Sequence, residues 1–598
     1  MTSSAADVLR IGCASCFWGD TEFGARQLVD GGKIDVLVFD YLAEITMSIL
    51  ARAKAKDPTK GYAVDFIKVL APLLPEIAHQ GIRVISNAGG LNPDACADAL
   101  RAELSRAGLD LRVAVVKGDD LMMRLSWLKE QSIREMGTGE ELPPTLVSAN
   151  AYLGARPIAA ALDRGADIII TGRCVDSAVT LGPLVHHFGW KWDEYDKLAQ
   201  GSLAGHIIEC GTQGTGGLFT DWRDVPGWDD MGFPIVECGS DGVFVVTKPP
   251  NTGGLVTPPT VAEQIVYEIG DPQTYVLPDV ICDFSEVALS QVGPDRVRVV
   301  GARGRPPGGA YKVCATYADG FRITATLMIG GIDAAAKGER VAEAMLTRLR
   351  RILKEKGFQD FREANVEILG AEAMYGPHSR ARSAREVIVK VGARHESKDA
   401  LDLLGREWYS AAAAMAPGIS GVAGGRPAPS GVVRLFSFLL PKAVVPASIG
   451  IDGETFNVEM GRESSAPILP VRPEVRIPTA ARSTVDVPLI RVAHGRSGDK
   501  ADTANIGLIA RRPEIFPILA EQVTAERVAA HFSYLLKGTV ERYLMPGMHA
   551  LNFVMTQSLG GGGVASLRYD PQGKAFAQML LDMTITVPAT LLESGSVQ

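Results

Sequence analysis

Long apolar runs are missing from this chain. Its most apolar late stretch, residues 435–451, is interrupted by Pro441, Lys442 and Pro446, which excludes a spanning helix there. Cationic excess is missing too: Lys and Arg number 61 against 69 Asp and Glu, for a formal net charge of −8. Neither a nucleic acid nor an anionic membrane surface is therefore an expected partner. Cysteine is scarce, and its eight positions (13, 16, 96, 174, 210, 238, 282 and 314) lack the paired-pair spacing of a zinc site, so they read as reduced, mostly buried thiols. There is no fixed-period repeat, no low-complexity block and no GxxxxGK[ST] loop. The frame Gly560, Gly562, Ala565 comes late and has no acidic partner after it, so no nicotinamide cofactor is expected. The first residues lack a charged segment followed by an apolar one, which makes a cytoplasmic location the expectation.

What the chain does have is one phrase repeated: a short apolar run, a break at Gly, Asn or Asp, then a helical pattern. Runs at 8–11, 34–39, 82–86, 111–116, 145–148 and 165–171 break at Gly12, Asp40, Asn87, Gly118-Asp119, Asn150 and Gly172-Arg173. Strand and helix in alternation predict a mostly parallel, doubly wound α/β sheet. In such a sheet the loops after the strands open on one edge, so Asp20, Asp40, Asn87, Asp119, Asn150 and Arg173 are expected to converge. From about residue 234 the texture turns to α+β, with long helices predicted over 333–355 and 397–416. Pro467, Pro470, Pro473 and Pro478 mark a linker. The expected division is 1–462 (α/β to about 233, α+β over 234–462), a Pro-rich linker at 463–484, and a compact α+β piece at 485–598.

Several clusters carry chemistry. Arg173, directly after a buried strand and at a helix start, suits a carboxylate or phosphate; an internal ion pair to Asp176 is the structural alternative. His206 and Glu209, three apart, form a base with its orienting carboxylate, or else a histidine that satisfies the glycine-dense stretch 211–217. Asp40 and Glu44 share a helical face if a helix starts at Tyr41, as an acid/base pair or as capping and surface charge. Ser15 and Asp20, in the loop after Cys13-Ala-Ser-Cys16, are ligand-touching candidates, and a redox role for the two thiols is disfavoured. Asn87, Gly89 and Gly90 form either a ligand-approaching loop or a plain turn. His494-Gly-Arg496-Ser497-Gly498-Asp499-Lys500 reads as an anion-holding nest or a structural turn.

These phrases resemble the acyclic terpene utilisation family AtuA. The residues that carry the likeness are Phe39-Asp-Tyr-Leu-Ala-Glu44, Asn87-Ala-Gly-Gly-Leu-Asn-Pro93, Thr171-Gly-Arg-Cys-Val-Asp-Ser-Ala178, Leu203-Ala-Gly-His-Ile-Ile-Glu-Cys210, residues 260–272 and Arg496-Ser-Gly-Asp-Lys500. The resemblance implies a large AtuA domain followed by a ferredoxin-like one. It also implies a bacterial setting in citronellol, geraniol or branched-chain acid catabolism, while assigning no reaction or catalytic residue. On that basis the expected function is a cofactor-free acid/base enzyme, a hydratase or lyase, acting on an acyl-CoA or carboxylic acid. Asp40, Arg173, Asp176, His206 and Glu209 would be catalytic. Ser15, Asp20, Asn87, Gly89, Gly90, Asn150 and residues 496–500 would bind substrate. The rival readings are a non-catalytic subunit of a degradation complex, and a Mg²⁺- or Mn²⁺-assisted enzyme. A second copy of the chain or another pathway enzyme would be the macromolecular partner.

Overall fold

The computed structural model describes residues 8–421, 424–459, 471–475, 483–563 and 565–593. Five parallel strands form its spine: β1 (Val8–Cys13), β2 (Val36–Phe39), β3 (Arg83–Ser86), β4 (Val113–Lys117) and β6 (Ile168–Thr171), in the order β1-β2-β3-β6-β4. Their apolar runs are continuous because both faces are covered. Val36, Val38 and Ile169 enter one core with helices Ala178–Phe188 and Tyr195–Ile208. Leu37, Phe39, Ile168 and Ile170 enter the other, with helices Phe23–Gly31 and Pro93–Ala107. Alternate residues of one strand thus serve opposite layers, as the doubly wound α/β class requires.

Six antiparallel strands extend this spine to eleven. Ile235–Gly239, Phe244–Thr247, Arg296–Val300 and Ala288–Gly293 continue outward from β1, and Ala447–Ile451 with Glu454–Val458 continue from β4. The α+β section therefore shares its sheet with the α/β section. One expected spine strand belongs elsewhere: β5 (Ser148–Ala151) pairs antiparallel with the 21-residue strand Ala310–Gly330, in a second sheet with Glu386–His395 and Ser430–Pro441. The predicted helix over 397–416 is interrupted, with Lys398–Glu407 followed by a tight turn and Ala411–Ala414.

Most of the Pro-rich linker, including Pro467, Pro470 and Pro478, lies outside the described residues. Of what is described, Arg472 pairs with both Asp271 oxygens at 2.7 Å, and Thr484 already belongs to strand Thr484–Pro488. The ferredoxin-like domain follows as a four-stranded antiparallel sheet, Ala493–Lys500, Thr503–Ala510, Ala550–Met555 and Val540–Met545, backed by short helices. Among the described residues no helix is long and apolar enough to cross a membrane.

Candidate functional site

Because β1, β2, β3, β6 and β4 run parallel, the turns after them open on one edge. Asp40 follows β2 there, and the Asn87 amide after β3 donates to Asp40 Oδ1 at 2.6 Å while accepting from Tyr41 N–H at 2.8 Å. Asp119, after β4, accepts at one oxygen from Asn150 Nδ2 and from the Arg173 backbone N–H, both at 2.8 Å. Gly172 permits that approach, since a Cβ there would lie 2.4 Å from the Asp119 carboxylate. Two pairs of loops are thereby tied together, and Arg173 is aimed by its own main chain.

The Arg173 side chain is buried. Its Nη1 donates to Asp176 Oδ1 at 2.6 Å and to the Cys174 carbonyl at 2.8 Å, and its plane lies 4.1 Å over the Tyr152 ring. Nε has no partner among the described residues. Tyr152 O–H donates to Glu44 Oε1 at 2.7 Å, and Lys312 Nζ lies 3.7 Å from that oxygen and 4.9 Å from the ring centroid. Two cations thus lie over the Tyr152 ring. These groups form the polar wall of a cavity of about 350 Å³, which Tyr275 and Lys500 complete. The facing wall is apolar, with Met136, Val276, Leu277, Pro278 and Leu439.

Behind the wall lies the other half of the cluster. Helix Tyr195–Ile208 presses on the start of the preceding helix, Ala178–Phe188, through Gly205, where a Cβ would lie 2.8 Å from Ser177 Cα. This brings His206 and Glu209 to the Arg173 loop. His206 Nε2 faces the Ile265 carbonyl at 3.1 Å, so that nitrogen carries the hydrogen, and Nδ1 then faces Glu209 Oε1 at 3.4 Å. The approach does not amount to a hydrogen bond, and Nδ1 is a buried polar atom without a hydrogen-bond partner among the described residues. Both groups titrate upward. For Glu209, burial and the nearby Asp176 outweigh the histidine; for His206, the Glu209 contact outweighs a burial effect of opposite sign. Burial, followed by Asp176 and Glu209, pushes Asp40 well above the carboxylate range, against Arg173 and the Asn87 hydrogen bond. Glu44 goes the other way: burial would raise it, but Lys312, Lys500 and Arg173 bring it to about 2. The site thus holds carboxyls shifted in opposite directions.

Of the six residues expected to converge, Asp40, Asn87, Asp119, Asn150 and Arg173 lie at this edge, Asp176, His206 and Glu209 lie beside them, and the Arg173–Asp176 ion pair exists alongside exposure to the cavity. Other candidates sit differently. Asp40 and Glu44 share no helical face, because the helix begins only at Glu44 and Asp40 remains in the preceding turn. Asp20 caps its own loop, accepting from Cys16 and Thr21 N–H. The Ser15 hydroxyl donates to the Asp40 carbonyl and is a structural tie. At Gly89 a Cβ would strike the Thr171 carbonyl at 2.5 Å and at Gly90 Leu50 Cδ1 at 2.5 Å, so both serve packing. Asn150 lies in strand β5, held to Asp119. The segment 494–500 is no nest but a strand: Ser497 O–H donates to the Lys574 carbonyl, Asp499 pairs with Lys574, and Arg496 stacks on Tyr267 and donates to Gln213. Gly498 lets that strand meet residues 267–268, and of the five only Lys500 reaches the cavity. The Cys13 thiol is buried and donates to the Ser15 carbonyl.

Tyr152, Tyr275, Lys312 and Glu268 had no local signal, since each is an ordinary strand, loop or helix-end residue until the chain folds. Among the described residues no group of three or more His, Cys, Asp or Glu side chains is placed to hold a metal ion. None of the curated proteins matches the chain. Two family models do: acyclic terpene utilisation family protein AtuA over residues 9–451, and the AtuA ferredoxin-like domain over residues 487–586. The chain belongs to the acyclic terpene utilisation family AtuA.

Proposed function

We propose that the protein is an acid/base enzyme of acyclic terpene or branched-chain acid catabolism, adding water to, or cleaving a carbon–carbon bond in, a carboxylic acid or its CoA ester. The observation that carries this reading is the gathering of Asp40, Asp176 and Glu209 around Arg173, where burial, aided by the neighbouring carboxylates, raises Asp40 and Glu209. Hydration needs one carboxylate to take a proton from water and one acid to deliver a proton to the α carbon. Lysis of a 3-hydroxyacyl group needs the same pair: a base removes the hydroxyl proton, the carbon–carbon bond breaks toward the ester carbonyl, and an acid protonates the resulting enolate. Asp176, on the cavity wall, is the candidate base; Asp40 and the His206–Glu209 pair behind it hold the proton. The guanidinium of Arg173 supports the carbonyl oxygen as negative charge develops. A cavity of about 350 Å³ is at the small end for ligand sites, so it would take the acyl group and leave the nucleotide of CoA outside.

The test is turnover by the full chain on a panel of 2-enoyl-CoA and 3-hydroxyacyl-CoA esters and the free acids. Asp176→Asn and Arg173→Ala should each lower turnover by roughly 10² to 10⁴. Turnover untouched by both changes removes this site, and no turnover of any panel member removes the acid/base class. The second reading, an assembly subunit, is favoured by an exposed aromatic pair: Trp222 and Trp228 are 48% and 61% exposed with ring centroids 5.7 Å apart. It predicts a stoichiometric partner in a pull-down that Trp228→Ser abolishes.

A further inference from the structure

The ferredoxin-like domain docks on the larger one through an unusually polar seam. Asn505 Nδ2 donates to the Val266 carbonyl at 2.7 Å and its Oδ1 accepts from Glu268 N–H at 2.9 Å, while Asn552 donates to the Gly270 carbonyl at 2.6 Å. The main chain of segment 266–270 is therefore gripped by side-chain amides from two strands of the second domain. At Gly498 a Cβ would lie 2.5 Å from Glu268 Cγ, and at Gly507 2.1 Å from Val266 Cγ2, so both glycines permit the close fit. All this precision fixes the end of strand Ala493–Lys500, whose last residue stands at the cavity mouth.

Lys500 Nζ donates to Glu268 Oε2 at 2.6 Å, and Lys574 holds the other Glu268 oxygen at 2.9 Å. One hydrogen bond uses one of three ammonium donors. The side chain is 50% exposed, on the wall that also carries Arg173 and Lys312. Lys574, by contrast, is consumed by Tyr267, Glu268 and Asp499.

We propose that Lys500 is the residue that contacts the carboxylate of a free-acid substrate, and that Glu268 is its positioning residue. The ligand-binding unit is then both domains together, with the second domain adding a third cation to the Arg173 and Lys312 that the first supplies to the cavity. Glu268 holds the ammonium by one oxygen, so an incoming carboxylate adds to the pair without displacing it. The inference takes the ligand class from the acid/base reading but needs no turnover to be tested.

The experiment is calorimetric binding of 3-methylbut-2-enoate to the full chain. Lys500→Ala should weaken binding about tenfold or more, and Lys500→Arg should stay within about threefold of the unaltered protein. Glu268→Gln should weaken binding by itself but add nothing in the Lys500→Ala background, because it acts through the ammonium. If Lys500→Ala fails to fold, Lys500→Met, which keeps the stem, is held to the same criterion. Equal binding by the Ala and unaltered proteins, Arg as weak as Ala, an additive Glu268→Gln effect, or no binding of the probe to the unaltered protein at 10 mM (roughly the weakest affinity such a contact would give) overturns the assignment. Lys500-dependent binding with no turnover of any panel member leaves it standing and removes only the acid/base reading.

Discussion

Replacing Asp119 with asparagine isolates the carboxyl that aims Arg173. Asp119 is 3% exposed, and burial pushes it up to about 6 from 3.8, against the hydrogen bonds it accepts from Arg173 N–H and Asn150. Its folded-state pKa is raised, so the folded protein takes up a proton, and stability present below the unfolded value is lost as pH climbs through the folded one. The full cost above pH 6 is about 3 kcal/mol, and about half of that is already reached at pH 5. An amide has no such slope. It keeps an oxygen for the two donors and places N–H groups near Asn150 Oδ1, which finds no partner among the described residues. Between pH 5 and 7.5 the stability of Asp119→Asn should therefore gain about 1.5 kcal/mol relative to the unaltered protein. Unfolding entropy for a cooperative unit the size of residues 9–451 translates this into a shift of roughly 1.5 °C, within reach of differential scanning calorimetry. A constant offset between the two proteins from pH 4 to 7.5 would show that burial does not raise Asp119, and the reasoning from its burial to its titration would fail.

Gly498→Ala should push the two domains apart, because its Cβ falls 2.5 Å from Glu268 Cγ and 2.6 Å from the Tyr267 ring. A loss of about 1 to 3 kcal/mol is expected, read as two separated calorimetric transitions where the parent shows coupling. Arg511→Ala removes both hydrogen bonds to Asp221, at 2.5 and 2.6 Å, across the same seam. Burial would raise the Asp221 carboxyl, but Arg511 and His494 hold it well below the usual range, so it contributes stability above pH 4 that is lost on acidification. The variant should be less stable at pH 7 by about 1.5 to 3 kcal/mol, with the gap beginning to narrow below pH 4; a gap as wide at pH 3 as at pH 7 would assign the loss to packing.

The parallel spine was legible because strands buried on both faces must be apolar at every position, and Ile168-Ile-Ile170 and Val36-Leu-Val-Phe39 satisfy that locally. Arg173 was legible for the same reason, as a charge at the only exit from such a strand. Strand β5 was misplaced because Ser148-Ala-Asn-Ala151 is bounded like its neighbours, yet its partner lies some 160 residues onward, where the register Ala151 to Val313 is set by tertiary pairing. Lys312 was invisible on similar grounds: within Ala310–Gly330 it alternates with buried residues like any solvent-facing lysine, and only β5 and the Glu44 helix turn its face into a site.

The segment 494–500 shows why composition alone misled. Two glycines among polar residues suggested a loop that cradles an anion with its amides. The amides of residues 494–500 belong instead to an antiparallel ladder with Thr503–Ala510, and Gly498 is there because residues 267–268 press on its face of the strand, while Gly495 packs against Leu508 and Leu581. A glycine in a strand marks close approach of another backbone as readily as it marks a turn. Alternation separates the two cases: Gly498 and Lys500 lie on one face of the strand, two residues apart, so the glycine that allows contact with Glu268 also directs Lys500 to the carboxylate of that same residue. In a nest the cations need no such phase relation to the glycines. Here contact and charge share a face, which makes the motif a docking edge that ends in a cavity residue.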